Sequence, residues 1–436
     1  MNRKAVAGST GAIAVLAMAV LITKPWESAS VPGDSSPDDG EEISFGDRDY
    51  GELNESTEDL LAQARSLEGT PFQSGGNDPS DGFNTSGFVQ FVYHESSGIR
   101  MPRIAGHQYD LGQHVSLYDL HPGDLVFFEG ETLMSGIYIG HGEFMTVSQS
   151  NGVETLSFET DTFWSDRFIG GRRLSSEEKT ALHPSTYSDH DHPAVRHAIQ
   201  YLDTPYVFGG NSVEGFDCSF FVQQVFRESM DVYLPRVTRD QFRVGSTVSE
   251  AHPEPGDVLY FSGIEAESDA DEEGAEDPVT HAGIYLGGNF MIHASRTEEM
   301  TQISYMNDYW QDAFTGIKRF DELSLGGEYP VVQAAAGYLF RDDFTTSGFV
   351  SRVFSDSNGT ELPSTANAQF ESGTPVERED LEIGDLVFFE GEESYLSGLY
   401  IGHSQFMISS VSSGVTTRHL DYAPYFSERY AGARRY

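Results

Sequence analysis

The chain holds one cysteine, Cys218, directly after Asp217 at the head of a segment with helical periodicity, in which Phe221, Val222, Val225 and Phe226 recur at spacings of three and four. No intramolecular disulfide is possible, so the thiol is either a small buried hydrophobe or a reactive group. A helix N-terminus carries about half a positive charge and free N–H groups, which stabilise a thiolate and lower its pKa. A nucleophilic cysteine needs both, and its own N–H can serve an oxyanion. Further along, His281–Leu286 and Phe290–Ser295 flank Gly287-Gly288-Asn289 and read as a hairpin. With the turn centred on Gly288, position 283 faces 293. His281 and His293 then become diagonal neighbours on one face, roughly 7–8 Å apart between backbones. Imidazoles bridge that gap, so one histidine can act as base toward Cys218 while the other orients it. Two plainer readings compete. These are ordinary histidines among 14, or they are zinc ligands together with Cys218, for which no fourth ligand is evident.

The elements that must position these groups occur three times. SGFVQFVY (86–93), SFFVQQVF (219–226) and SGFVSRVF (347–354) are one segment, followed by MPRIAGHQ (101–108), LPRVTRDQ (234–241) and LPSTANAQ (362–369). HPGDLVFF (121–128), EPGDVLYF (254–261) and EIGDLVFF (382–389) come next, then SGIYIGHGEFM (135–145), AGIYLGGNFMI (282–292) and SGLYIGHSQFM (397–407). Each unit closes on Gly-x-Arg-Arg or a variant: IGGRRL (169–174), TGIKRF (315–320) and AGARRY (431–436). Such long periods mean three whole domains rather than a solenoid. The boundaries read as 57–174, a linker over 175–189, 190–320 and 326–436. The third unit is short, lacking the counterpart of TPYVFGGNS (204–212). Within a unit, helices come first and an antiparallel sheet follows, an α+β architecture.

The repeats compare the candidate site with itself. At the place of Cys218 the other units carry Thr85 and Thr346; at His281, Met134 and Leu396; at His293, Val147 and Ser409 if the first hairpin differs in length by one residue. Tyr206 corresponds to Phe72, and Asp217 to Asn84 and Thr345. Independent core residues would not be lost as a set, so the comparison favours chemistry in the middle unit alone.

Composition bounds the rest. The 436 residues are 38% hydrophobic and 12% aromatic, which is globular, and the net charge of −43 argues against binding nucleic acid or an anionic membrane surface. Lysine occurs only at Lys4, Lys24, Lys179 and Lys318, so the carboxylate-rich surface reads as one hydrated for high salt, with a cationic partner as the rival. Arg3 and Lys4 precede an apolar run from Ala5 to Ile22, roughly 27 Å as a helix. Residues 1–30 therefore read as a signal peptide or membrane anchor that sends the chain out of the cytoplasm, either secreted or held at the outer membrane face. Residues 31–56 read as an acidic disordered spacer.

The middle unit resembles the NlpC-type cell-wall peptidases, a papain-like cysteine peptidase family, through TPYVFGG, GFDCS, LPRVTRDQ, PGDVLYF and HAGIYLGG…MIHAS. The flanking units look like degenerate members. The resemblance implies three tandem papain-like domains and, in the middle one, hydrolysis of peptidoglycan stem peptides at the bond between γ-D-glutamate and a diamino acid. It implies Cys218 as nucleophile, His281 as base, His293 as orienting residue and Tyr206 near the oxyanion. Asp217 and Ser219 would contact the substrate's free amino end, and Arg236 would line the cleft or hold it together. It calls for no cofactor and no resident metal. The partner is peptidoglycan or another cell-envelope polymer, not nucleic acid, with membrane contact only through the N-terminal helix.

Two features depart from the family. Phe220 stands where the family, like Gly87 and Gly348 here, has glycine, and is expected to reshape the cleft or its packing. An insertion of eight carboxylates (262–280) precedes His281; it reads as a solvated loop, with a lid, an attractor for a substrate amine, or a calcium loop at DADEEG (269–274) as alternatives. DHDH (189–192) reads as linker rather than metal site. The competing function is a non-catalytic wall-binding protein, or an amidase or acyltransferase using the same Cys/His pair.

Overall fold

The computed structural model describes Phe45 and residues 48–265, 279–325, 329–411 and 413–436. The segments read as signal or anchor, spacer and calcium loop lie outside them, apart from the spacer's Phe45 and residues 48–56. No described helix is long and apolar enough to cross a membrane.

Each repeat folds into helices followed by a six-stranded sheet whose pairings are all antiparallel. In the middle unit α1 (Pro193–Ala198), α2 (Cys218–Met230) and α3 (Thr238–Arg243) precede β1 (Ser246–Val248), β2 (Val258–Ser262), β3 (Val279–Gly287), β4 (Phe290–Ser295), β5 (Met300–Tyr305) and β6 (Phe314–Arg319). Short α4 (Asp308–Asp312) lies between β5 and β6. The strand order is β1-β6-β2-β3-β4-β5, and the two flanking sheets repeat it. The face of α2 carrying Phe221, Val222, Val225 and Phe226 is wholly buried, each side chain worth about 1.5–3 kcal/mol against exposure.

The repeated sequence blocks turn out to be the joints. The Asp of the Gly-Asp block is buried and receives two guanidinium bonds from the closing arginine: Asp124 from Arg173 at 2.8 and 2.6 Å, Asp257 from Arg319 at 2.7 and 2.9 Å, Asp385 from Arg435 at 2.8 Å twice. Each pair ties the start of the second strand of its sheet to the last strand. The glutamine ending the Pro block donates to two carbonyls. Gln241 reaches Ser219 and Pro235, as Gln108 reaches Ser86 and Pro102, and Gln369 reaches Ser347 and Pro363. It fastens the proline segment to the first turn of the nucleophile helix, satisfying carbonyls that burial would otherwise leave unpaired.

Residues 44–436 form one compact unit, so the repeats are docked on each other. From the first repeat, His107 Nδ1 lies 2.5 Å from Glu298, whose side chain is fully buried, and Arg100 pairs with Asp203 at 2.7 Å. From the third, Phe340 packs on Phe220 with ring centroids 4.9 Å apart, and the Tyr422 carbonyl accepts from Arg243. Tyr233 joins the third repeat's own hydrophobic cluster.

Candidate active site

Helix α2 begins as the sequence predicts. Asp217 is its N-cap, with its carboxylate accepting the Phe220 N–H at 2.8 Å, and Cys218 is the first helical residue. The sulfur is buried, 3.8 Å from both Thr238 Oγ1 on α3 and the Thr280 carbonyl on β3. Nucleophile helix, proline segment and the strand of His281 therefore converge on one atom.

The hairpin of β3 and β4 brings the histidines together. Ile284 pairs with Ile292, and Gly288 and Asn289 sit at φ +57° and +66°, the two left-handed residues of a type I′ turn. His281 Nε2 then lies 2.8 Å from His293 Nδ1, and His293 Nε2 lies 2.9 Å from Ser304 Oγ on β5, which also accepts from Gln302 Nε2 at 2.9 Å. Gly283 makes this possible: a Cβ there would meet Met291 Sδ at 2.8 Å and His293 Cβ at 3.2 Å. The rings sit in an aromatic box, Trp310 of α4 at 5.4 Å from His281 and 4.8 Å from His293, and Phe261 at 6.1 Å from His281. His281 Nδ1 is buried without a hydrogen-bond partner among the described residues. With the proton on Nε2, His281 donates to His293, His293 donates to Ser304, and the Nδ1 lone pair is free to act as a base. Ser304, Gln302 and Trp310 escape sequence reasoning, since none lies in one of the aligned blocks; Thr238 escapes it although the Pro block shows it, with Ala105 and Ala366 at its place in the other repeats.

One expectation is overturned. The thiol is not lowered by the helix N-terminus. Burial, then the Asp217 charge, pushes it up to about 12, against weaker help from Thr238 and the Ala282 N–H. Burial likewise pulls His281 down to about 4 despite the Glu265 and Asp217 charges, and holds His293 well below the usual range. Burial at both groups thus favours a neutral thiol and a neutral imidazole over an ion pair.

A second correction concerns the counterparts of His293. All three hairpins have the same length: Gly140 pairs with Glu143, Gly287 with Phe290 and Gly402 with Gln405. The counterparts are therefore Thr146 and Ile408, not Val147 and Ser409. The strand glycines agree, because a Cβ on Gly136 would meet Thr146 Cβ as one on Gly283 would meet His293 Cβ. The conclusion from the comparison is unchanged, since Met134 and Leu396 at the place of His281 leave no base to orient.

Asp217, Ser219 and Arg236 form a clasp. Arg236 donates to both Asp217 oxygens at 2.9 and 2.8 Å, to Ser219 Oγ at 2.8 Å and to the Gly210 carbonyl at 2.9 Å, and Ser219 donates to Asp217. Arg103 grips Asn84, Ser86 and the Gly75 carbonyl the same way in the first repeat, which lacks the cysteine. The clasp is therefore a structural device that fixes the Gly-rich loop to the helix start. It also holds Tyr206, half-buried on that loop, whose phenol burial and the neighbouring Cys218 push upward.

Phe220 alters packing, as one of the two expectations had it. It is buried against Phe216, Phe340 and the Arg236 guanidinium. In the first repeat a side chain at Gly87 is impossible, because its Cβ would lie 2.1 Å from the Gly76 carbonyl. At the insertion's edge, Glu265 accepts from the Arg296 and Thr297 N–H groups and from Ser295 Oγ. DHDH caps α1, with His192 Nδ1 accepting the Ala194 N–H. Among the described residues no group of three or more His, Cys, Asp or Glu is gathered as a metal site requires.

Comparison with known proteins agrees with this architecture. The NlpC/P60 family profile matches residues 69–173, 203–319 and 325–435, one segment per repeat. The gamma-DL-glutamyl hydrolase of Bacillus subtilis (strain 168) is 37% identical over 403 residues, 88% of this chain and 92% of that protein. The murein DD-endopeptidase MepS/murein LD-carboxypeptidase of Escherichia coli (strain K12) is 36% identical over 124 residues, 28% of this chain and 59% of that protein. Among solved structures, the NlpC/p60 domain of the peptidoglycan hydrolase SagA is 26% identical, with 28% of this chain and all of that chain covered and a TM-score of 0.25. With a profile match in every repeat and a relative aligned along nearly its whole length, the chain belongs to the NlpC/P60 family and is a cysteine hydrolase of it.

Proposed function

We propose that this protein acts outside the cytoplasm as a γ-glutamyl hydrolase with one working centre, Cys218 with His281 and His293, on the stem peptides of peptidoglycan or another γ-linked envelope polymer. The observation that carries it is the buried His281–His293–Ser304 chain beside the only cysteine, in one repeat of three. The name of the Bacillus subtilis relative supports the γ-glutamyl bond, and the sequence of residues 1–30 supports export.

In this mechanism His281 Nδ1 takes the thiol proton as the sulfur attacks the γ-carbonyl carbon. The developing oxyanion accepts from the Cys218 N–H and the Tyr206 hydroxyl, which burial keeps protonated. The amide C–N bond breaks as His281 returns the proton to the leaving amine, giving a thioester. Water, deprotonated by His281, releases the acid and restores the thiol. His293, held by Ser304, fixes the ring and shares the imidazolium charge. Asp217 and Ser219 border the cleft at the helix start, where the substrate's free amino end would lie, with the Asp217 charge already shared with Arg236.

The test uses residues 31–436 and Cys218→Ala in high salt. Isolated peptidoglycan, a γ-glutamyl stem peptide and a γ-linked glutamate oligomer are offered, and new amino groups are counted. Release that vanishes in Cys218→Ala is expected, and the productive substrate identifies the polymer. Release that survives the substitution, or binding of peptidoglycan with no release, overturns the proposal, the latter in favour of a wall-binding protein.

A further inference from the structure

Among the described residues, the large apolar side chains left exposed, tyrosines aside, are Phe163, Val207, Phe208, Val213, Val237 and Val411. Four of these six lie on the two loops that flank Cys218. Val207, Phe208 and Val213 are 46%, 56% and 63% exposed on the Gly-rich loop that carries Tyr206, and Val237 is 40% exposed next to Thr238, which touches the sulfur. A single exposed apolar residue needs no explanation, but a cluster beside a nucleophile does.

The first repeat supplies the control. Its loop has the same backbone bonds: Gln73 N–H to Phe83 and Gly76 N–H to Gln73, as Val207 to Phe216 and Gly210 to Val207. It has the same arginine clasp. Yet where the catalytic repeat exposes Val207 and Phe208 it exposes Gln73 and Ser74, and its turn reads Pro79-Ser80-Asp81 against Val213-Glu214. The fold of the loop does not require apolar residues. On this loop only the repeat with the cysteine carries them; at Val237 the first repeat is also apolar, with Ile104, but keeps it less exposed. The loop is also rigid, since Arg236 binds the Gly210 carbonyl and the Tyr206 N–H donates to the Glu299 carbonyl.

We propose that Val207, Phe208, Val213 and Val237 form an apolar collar that grips the methylene segment of a γ-linked glutamyl main chain, making them specificity-determining residues for linkage. This rests on the γ-glutamyl reading above. A γ-linkage places Cβ and Cγ in the main chain next to the scissile carbonyl, whereas an α-linkage places neither there. The collar packs on those two methylenes and leaves the α-carboxylate to water, away from a surface of net charge −43. Burying two methylenes is worth about fifteenfold in binding.

The experiment compares a γ-glutamyl oligopeptide with its α-linked isomer in the full chain and in Val207→Gln/Phe208→Ser, residues the first repeat already tolerates. The variant is expected to raise KM for the γ-linked peptide by about fifteenfold, with kcat within about twofold and the rate of Cys218 alkylation unchanged. Phe208→Leu should retain the wild-type KM, and Val237→Asn should raise it from the opposite loop. An unchanged KM in both polar variants overturns the proposal. So does a fall in kcat matched by a changed alkylation rate, because the loop would then be acting on the nucleophile rather than the substrate. If the wild type cleaves no γ-linked peptide, the parent reading fails before any variant is made, and the collar falls with it.

Discussion

The protonation state of the resting site is the sharpest consequence of its geometry. With the thiol at about 12, roughly one Cys218 in 10^5 is thiolate at pH 7, against a few per cent for an unperturbed cysteine near 8.5. A more basic thiolate is intrinsically more nucleophilic, recovering about one and a half powers of ten. Alkylation by iodoacetamide at pH 7 should therefore run about a hundredfold slower than for free cysteine, and climb close to tenfold per pH unit without a plateau up to about pH 11. The acid limb of kcat/KM should fall near pH 4, where His281 becomes protonated, not near the ordinary 6.5. The assay is a pH series of single-turnover alkylation beside a pH series of hydrolysis on one preparation. A rate of alkylation that is flat from pH 5 to 9 would mean a preformed thiolate–imidazolium pair, and would refute the argument that burial outweighs the helix N-terminus at this cysteine.

Three further outcomes follow from single features. His281 ionises near 6.5 when unfolded but about 4 when folded, so its neutral form stabilises the fold above pH 6.5, and about 3 kcal/mol of that is lost as pH falls to 4; urea midpoints at pH 7 and 4 should drop further for wild type than for His281→Gln, and equal drops count against it. Asp231 ends α2 at φ +55°, where the other repeats have Gly98 and Gly359, so Asp231→Gly should add about 0.5–1 kcal/mol in the same denaturation, and a loss contradicts the strain argument. The Phe220–Phe340 contact should give a coupling energy of about 0.5–1.5 kcal/mol in a double-mutant cycle to alanine, and a value below about 0.3 kcal/mol would mean the two rings act independently.

The parts that were legible in the sequence depend on local periodicity and on the repeats. A three-and-four spacing located α2, and a glycine-rich turn between two alternating runs placed His281 and His293 on one face, with Gly283 opposite His293. What escaped depends on depth and on distant partners. Nothing local to Cys218 shows that Thr238 and Thr280 close over the sulfur, so the helix dipole looked stronger than burial. Ser304 sits on a strand whose sequence differs in every repeat, so the comparison that singled out the histidines could not find it. Asp217 and Ser219 looked like substrate contacts by resemblance, with Arg236 lining the cleft or holding it together, and the matching Asn84–Arg103 clasp displays the holding role. Phe340 lies 120 residues from Phe220, at a position the other repeats fill with Gly69 and Asp203, so no shared motif could link them.

That last link gives the truncated third repeat a reason. Glycine at the third position of the nucleophile helix is forced where the Gly-rich loop presses on it, as at Gly87. In the middle repeat, under the same arginine clasp, this position faces Phe340 of the third repeat. The third repeat has no such loop, and Phe340, at the left-handed position that Gly69 and Asp203 hold in the other repeats, packs on Phe220. A phenylalanine exposed on a catalytic helix would cost burial; covered by Phe340 it is 2% exposed and fixes the first turn from outside. On the opposite side His107 of the first repeat covers Glu298, in the turn that follows the strand of His293. Neither flanking repeat carries a cysteine of its own, yet each packs on a segment next to one half of the proposed centre, Phe340 on the helix that Cys218 begins and His107 on the turn after the strand of His293.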